Sequence, residues 1–118
     1  MRRVVITGIG IVSCIGNNKK EVLDSLLNTK SGIIFSEEHK KYNFRSCVVG
    51  NIKNLDLSKL IDRKQLRFMG DGSAYNFIAL KEAIEESGLE EKDISNEKTG
   101  IVMGSGGPSI KNVYFAVD

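Results

Sequence analysis

Two kinds of apolar run alternate along this chain: short stretches with no polar face, and longer stretches with a helical period. Residues 3–12 are apolar almost throughout, interrupted by Thr7, Gly8 and Gly10. A run without a solvent face predicts a central strand in a covered sheet. Asn18 and Glu21 then form a capping-box pattern ahead of Val22, Leu23, Leu26 and Leu27, which share one helical face. A helix is predicted there, with Gly32 marking its end. Ile33-Ile34-Phe35 and Cys47-Val48-Val49 read as short extended pieces, and the polar segment 36–45, which carries His39, reads as a loop between them. A long helix is predicted from Asp62, its cap, to Ser87: Leu66, Met69, Ser73, Phe77, Leu80 and Ile84 keep helical spacing, and Gly88-Leu89 ends it.

Gly70, Gly72, Ser73 and Ala74 form a small-residue patch in the middle of that helix. Each glycine costs about 1 kcal/mol against alanine in a helix interior. Either another element packs closely at this patch or the helix breaks there. Gly100-Ile-Val-Met-Gly104 predicts a further buried strand, leading into the loop Ser105-Gly-Gly-Pro108. The order strand, helix, irregular segment, helix, strand, loop predicts an α/β layered fold. In open α/β sheets ligands gather at strand ends of this kind. The apolar segment Val113-Tyr-Phe-Ala-Val117 just before Asp118 is an odd place for a domain to stop, and reads as a truncation.

Composition narrows the possibilities. At 118 residues the chain is one domain or part of one, and 41% apolar with 27% charged residues is ordinary for a soluble globular protein. A net charge of +2 does not by itself imply nucleic-acid binding. No apolar run reaches the roughly 18–20 residues that span a bilayer. Arg2 and Arg3 followed by an apolar segment mimic a signal sequence, and Ile11-Val12-Ser13-Cys14 mimics a lipidation box. Glycines and a threonine interrupt that segment, however, and no hydrophilic linker follows Cys14, so a cytosolic strand is the better reading. Cys14 and Cys47 lack CxxC spacing, and the single histidine, His39, excludes a multi-His metal site. Two free thiols fit a reducing cytosol. A catalytic thiol needs a base, and His39 in a polar loop is a poor one, so both cysteines read as small core or half-buried residues.

Gly8-Ile-Gly10 fails as a dinucleotide fingerprint: Ser13 stands where the third glycine belongs, no helix opens before residue 18, and Asp24 lies within a helix. These glycines then serve close packing of backbones. Arg63 and Arg67 are four apart, and with Lys64 they sit in the first turns of the long predicted helix. Like charges at that spacing repel by roughly 0.2–0.5 kcal/mol, and the helix dipole there favours anions. Either an acidic partner compensates, or the face is merely solvated, with Arg67 neutralised by Asp71 and Arg63 by Asp62. Ser105-Gly-Gly107 is an anion nest or a simple turn.

Taken together, Val4-Val-Ile-Thr-Gly-Ile-Gly-Ile-Val-Ser13, Ile15-Gly-Asn17, Ser31-Gly-Ile33, Asp62-Arg-Lys64 with Arg67-Phe-Met69, and Gly104-Ser-Gly-Gly107 resemble the N-terminus of β-ketoacyl-acyl carrier protein synthases, in order and spacing across the whole chain. Arg45-Ser-Cys-Val-Val-Gly-Asn51 and the Gly-Ser-Gly-Gly loop are more similar to type I than to type II synthases. The resemblance implies a thiolase-like layered α/β fold, of which residues 1–118 are part of the N-terminal half. It implies a homodimeric cytoplasmic acyltransferase of fatty acid elongation that needs no metal or organic cofactor, acts on acyl carrier protein, and engages neither nucleic acid nor membrane. The family's reaction is a decarboxylative Claisen condensation. A cysteine takes the acyl chain, and two histidines assist decarboxylation and stabilise the oxyanion. The resemblance places all three beyond residue 118, so no catalytic residue is expected here and the chain alone is expected to be inactive. By the same resemblance Arg63, Lys64, Arg67 and Arg45 match carrier-protein docking positions, and Gly107 matches a position beside the acyl pocket. The alternative is a non-catalytic binding or assembly piece, from a split or degraded gene.

Overall fold

The computed structural model describes residues 3–117. Helices and strands are both present, and the chain divides into two compact units: Gly10–Leu55, and the residues on either side of it in the sequence.

In the unit Gly10–Leu55, helix α1 spans Lys19–Leu27. Asn18 caps it as expected: its side-chain carbonyl accepts the Glu21 N–H at 2.9 Å, while the Glu21 carboxylate reaches back to the Asn17 N–H at 2.8 Å. Of the expected apolar face only Val22 is buried, together with Ser25, whose hydroxyl donates to the Ile15 carbonyl at 2.6 Å. Leu23, Leu26 and Leu27 stay exposed. Nor does Gly32 end the helix. Thr29 takes the left-handed position (φ 50°), and the Thr29 and Lys30 N–H groups donate to the Leu26 and Ser25 carbonyls, a Schellman cap. Gly32 is buried against Cys14 instead, where a Cβ would come within 2.3 Å of the Cys14 carbonyl oxygen.

Strand β1 (Ile33–Phe35) pairs antiparallel with β2 (Val48–Gly50), with Ile34 opposite Val49, close to the expected extended pieces. The segment between them is not all loop, because α2 occupies Glu37–Lys41. The Ser36 hydroxyl caps it by accepting the His39 N–H at 3.2 Å. Acids in its first turn and cations in its last complement the helix dipole.

In the other unit, α3 (Leu57–Leu60) and α4 (Arg63–Leu66) are single turns, and α5 runs Asp71–Ser87. The long predicted helix is therefore broken, with Gly70 as the N-cap of α5. Its far end is as expected, with Gly88 in the left-handed region at φ 67°. Short α6 (Glu91–Ile94) and then α7 (Ile110–Val117) follow. Among the described residues of this unit, Ile61 and Ala74 are the buried apolar ones. The two expected central strands do not form: residues 3–12 and 100–104 belong to no strand, and Val4 and Val102 are 95% and 99% exposed. A β-branched run becomes a strand only when neighbouring strands pair with it, and the described residues supply none.

Candidate functional site

The breaking of the long helix changes what surrounds the basic residues. The Asp62 carboxylate accepts the Lys64 N–H at 2.8 Å, which starts α4. Four residues later that turn is over, and Arg67 is its C-cap. Arg63 and Arg67 are thus not neighbours in the first turns of a long helix, and Arg67 sits at the end of a turn where a cation is favoured. Neither anticipated neutralisation occurs. Among the described residues, Arg63, Lys64 and Arg67 are exposed and form no ion pair. The Arg67 guanidinium lies over the Phe68 ring, 4.9 Å from its centroid.

Phe68 in turn lines a cleft of about 760 Å³ together with Gly70, Ser73, Gly107, Asn112 and Ala116. The approach expected at the small-residue patch and the break in the helix both occur here, at Gly70. A Cβ on Gly70 would come within 2.9 Å of the Ser109 Cβ, whereas one on Gly72 would meet nothing within 4 Å. The Ser105–Gly107 loop is a turn rather than a nest. The Ser105 hydroxyl donates to the Gly107 carbonyl at 2.7 Å and accepts the Gly107 N–H at 3.4 Å. Gly88 is the only described glycine with positive φ, so the alternating handedness that a nest requires is absent. A Cβ on Gly107 would meet nothing within 4 Å, so the cleft is open beside it. Ser73, Asn76 and Ser105 are shared with an adjoining trough of about 430 Å³ whose walls include Phe77, Leu80, Ile101 and Met103. Volumes of this order suit a small ligand or an alkyl chain. Asn76 and Asn112 escaped the sequence reading, and Phe68 entered it only within a family motif, because lining a cleft leaves no periodic signature.

Arg45 belongs to the other unit, between α2 and β2, and is exposed without an ion pair among the described residues. The half-buried Cys47 thiol donates to the Phe44 carbonyl at 3.7 Å. His39 stands edge-on to Phe44, with Nδ1 3.3 Å from the Ser46 carbonyl oxygen. Cys14, also half-buried, lies beside Gly32 and Gly50. Neither thiol hydrogen-bonds the imidazole, so no activated nucleophile is assembled among the described residues. No group of three His, Cys, Asp or Glu residues among them is placed to hold a metal.

The family model described as "Beta-ketoacyl synthase, N-terminal domain" matches residues 1–115. The 3-oxoacyl-[acyl-carrier-protein] synthase 1 of Haemophilus influenzae is 53% identical over 118 residues, which is 100% of this chain and 29% of that protein. The synthase 1 of Escherichia coli K12 is 50% identical over 119 residues, with the same coverage of 100% and 29%. A 3-oxoacyl-[acyl-carrier-protein] synthase 2 of Vibrio cholerae is 34% identical over 105 residues, 89% of this chain and 25% of that protein. The chain thus spans less than a third of the length of these relatives.

Proposed function

Because this chain belongs to the β-ketoacyl synthase family through its N-terminal domain, we propose that it forms part of a type I 3-oxoacyl-acyl carrier protein synthase. The observation that carries the reading is identity of 53% along its whole length to a synthase 1, against 34% to a synthase 2. On this reading residues 1–118 are the N-terminal portion of a thiolase-like layered α/β domain, in a cytoplasmic homodimer. The reaction is decarboxylative condensation. An enzyme cysteine takes the acyl group from its carrier thioester. Malonyl-carrier then loses carbon dioxide, and the resulting carbanion attacks the acyl thioester, releasing the cysteine thiolate. No metal or organic cofactor takes part. The cysteine and the two assisting histidines lie outside this chain, which supplies framework and docking.

Arg63, Lys64, Arg67 and Arg45 receive the acidic carrier protein. That none of the four forms an ion pair among the described residues supports this role, since each cation is available to an acid from outside. Gly107 keeps open the cleft beside the acyl chain, and the adjoining apolar trough is consistent with an alkyl ligand.

Grafting the chain in place of the aligned segment of the Haemophilus synthase 1 tests the reading. Carrier-linked 3-oxoacyl product should form, and a soluble, folded chimera without turnover would overturn it. Arg63→Glu/Arg67→Glu in that chimera should raise KM for the carrier thioester by about tenfold and steepen its salt dependence, with kcat little changed. An unaltered KM would remove the docking assignment. The 118-residue chain alone should give no product.

A further inference from the structure

The Schellman cap that ends α2 builds a surface of its own. Asn43 takes the left-handed position (φ 56°), and the Asn43 and Phe44 N–H groups donate to the Lys40 and His39 carbonyls at 3.0 and 2.9 Å. The Phe44 ring then folds back on His39 at 4.9 Å, the ring contact that stabilises such a cap. Tyr42 and Phe44 lie 6.4 Å apart and are 61% and 55% exposed. Lys41 Nζ stands 5.8 Å from the Tyr42 ring, and Lys40 Nζ 5.9 Å from that of Phe35, which is also exposed. Arg45 follows directly in sequence. Exposed rings fixed by a helix cap and bordered by three cations that form no ion pair among the described residues have the composition of an interface anchor: apolar area held in place, with charge to steer a partner.

We propose that His39–Arg45 is a docking surface for an acidic, apolar-faced helix of a protein partner, and that Tyr42 and Phe44 are its anchors. The proposal rests on the carrier-protein reading above and extends it to Lys40, Lys41 and the two rings. Charge decides the class of partner. An anionic bilayer holds clusters of roughly four to eight cations and repels acids in the same plane. Here there are three cations, and Glu37 and Glu38 open the same helix. A helix-sized acidic partner can meet the cationic end alone.

The test titrates the 118-residue chain with purified acyl carrier protein at low and high salt, with vesicles of three parts phosphatidylcholine to one part phosphatidylglycerol in parallel. Tyr42→Ser/Phe44→Ser should weaken carrier binding by about tenfold while leaving its salt slope unchanged. Lys40→Gln/Lys41→Gln should weaken it less and flatten the slope. Circular dichroism of each variant checks folding, and the lysine pair stands in if the ring variant unfolds. If the carrier binds and neither pair alters the affinity, this surface is refuted while the synthase reading stands. If the parent chain binds no carrier, this surface and the carrier-docking assignment both fall, while the synthase reading is decided by the chimera. Binding to vesicles in preference to carrier overturns the protein partner.

Discussion

Thr29 is a β-branched residue in the left-handed region, which costs about 1–2 kcal/mol relative to glycine. Thr29→Gly should therefore stabilise the chain by about 1 kcal/mol, seen as a higher urea midpoint; an unchanged or lower midpoint contradicts the assignment of strain. Gly32 and Gly107 form a second contrast. A methyl on Gly32 runs into the Cys14 backbone, at 2.3 Å from its oxygen and 2.5 Å from its carbon, whereas one on Gly107 meets open space. Gly32→Ala should cost about 1–3 kcal/mol by overpacking and Gly107→Ala about nothing, read from the same denaturation curves. At this scale the sequence was half legible. That Gly32 was special could be read from its place after a helix, but the reason could not, because a contact with Cys14 across 18 positions leaves no local mark. The φ of Thr29 was equally hidden, since its composition argues against the conformation it adopts.

Elements that close on themselves were legible. The Asn18–Glu21 box, the Asp62 cap, Gly88 and the paired extended pieces all depend on groups a few residues apart, and all are present. Helix α2 was missed, although Ser36, two acids and then two lysines spell a capped and dipole-matched turn. The breadth of its polar face hid it. Residues 3–12 and 100–104 failed for the opposite reason: a strand is defined by its neighbours, and composition alone cannot provide them. The end of α1 carries a pH prediction. The Lys30 ammonium hydrogen-bonds the Asp24 carboxylate at 2.6 Å and adds its charge, holding the carboxyl below its ordinary 3.8. A lowered folded-state value means stability that is full above the ordinary carboxylate range and lost as pH falls through the folded value. Asp56, held down by the Ser58 hydroxyl and then by Lys59, acts in the same sense. Asp24→Asn should flatten acid unfolding below about pH 4 and leave neutral stability nearly unchanged apart from a small loss, because exposed pairs are weak. Circular dichroism against pH decides it, and an identical acid limb would discount the pair.

Across the whole molecule, the buried apolar residues among those described are Val22, Ile61 and Ala74, while Val4, Ile6, Ile101, Val102, Tyr114 and Phe115 lie open. Apolar surface on this scale seeks cover. The isolated chain should bind anilinonaphthalene sulfonate and associate with rising concentration in analytical ultracentrifugation. A dye-silent monomer with a sharp unfolding transition would contradict this. Family membership was readable in full from five motifs, because identity is written in residues; the cleft was not, because Phe68, Gly107 and Asn112 converge only when the chain folds. One joint among these parts also bears on how the chain reaches its fold. The Ile9 N–H donates to the Glu86 carboxylate at 2.7 Å across 77 positions, and Gly8 packs so tightly on the Ala83 carbonyl that a Cβ would stand 2.0 Å away. All of Gly10–Leu55 lies inside that loop. The unit Gly10–Leu55 makes its own contacts locally, whereas Gly8 and Ile9 wait for the C-terminal turns of α5. Closing so long a loop is a late step, slowed by the chain entropy spent before any contact repays it. Gly8 and Ile9 therefore stay without these partners until α5 has formed.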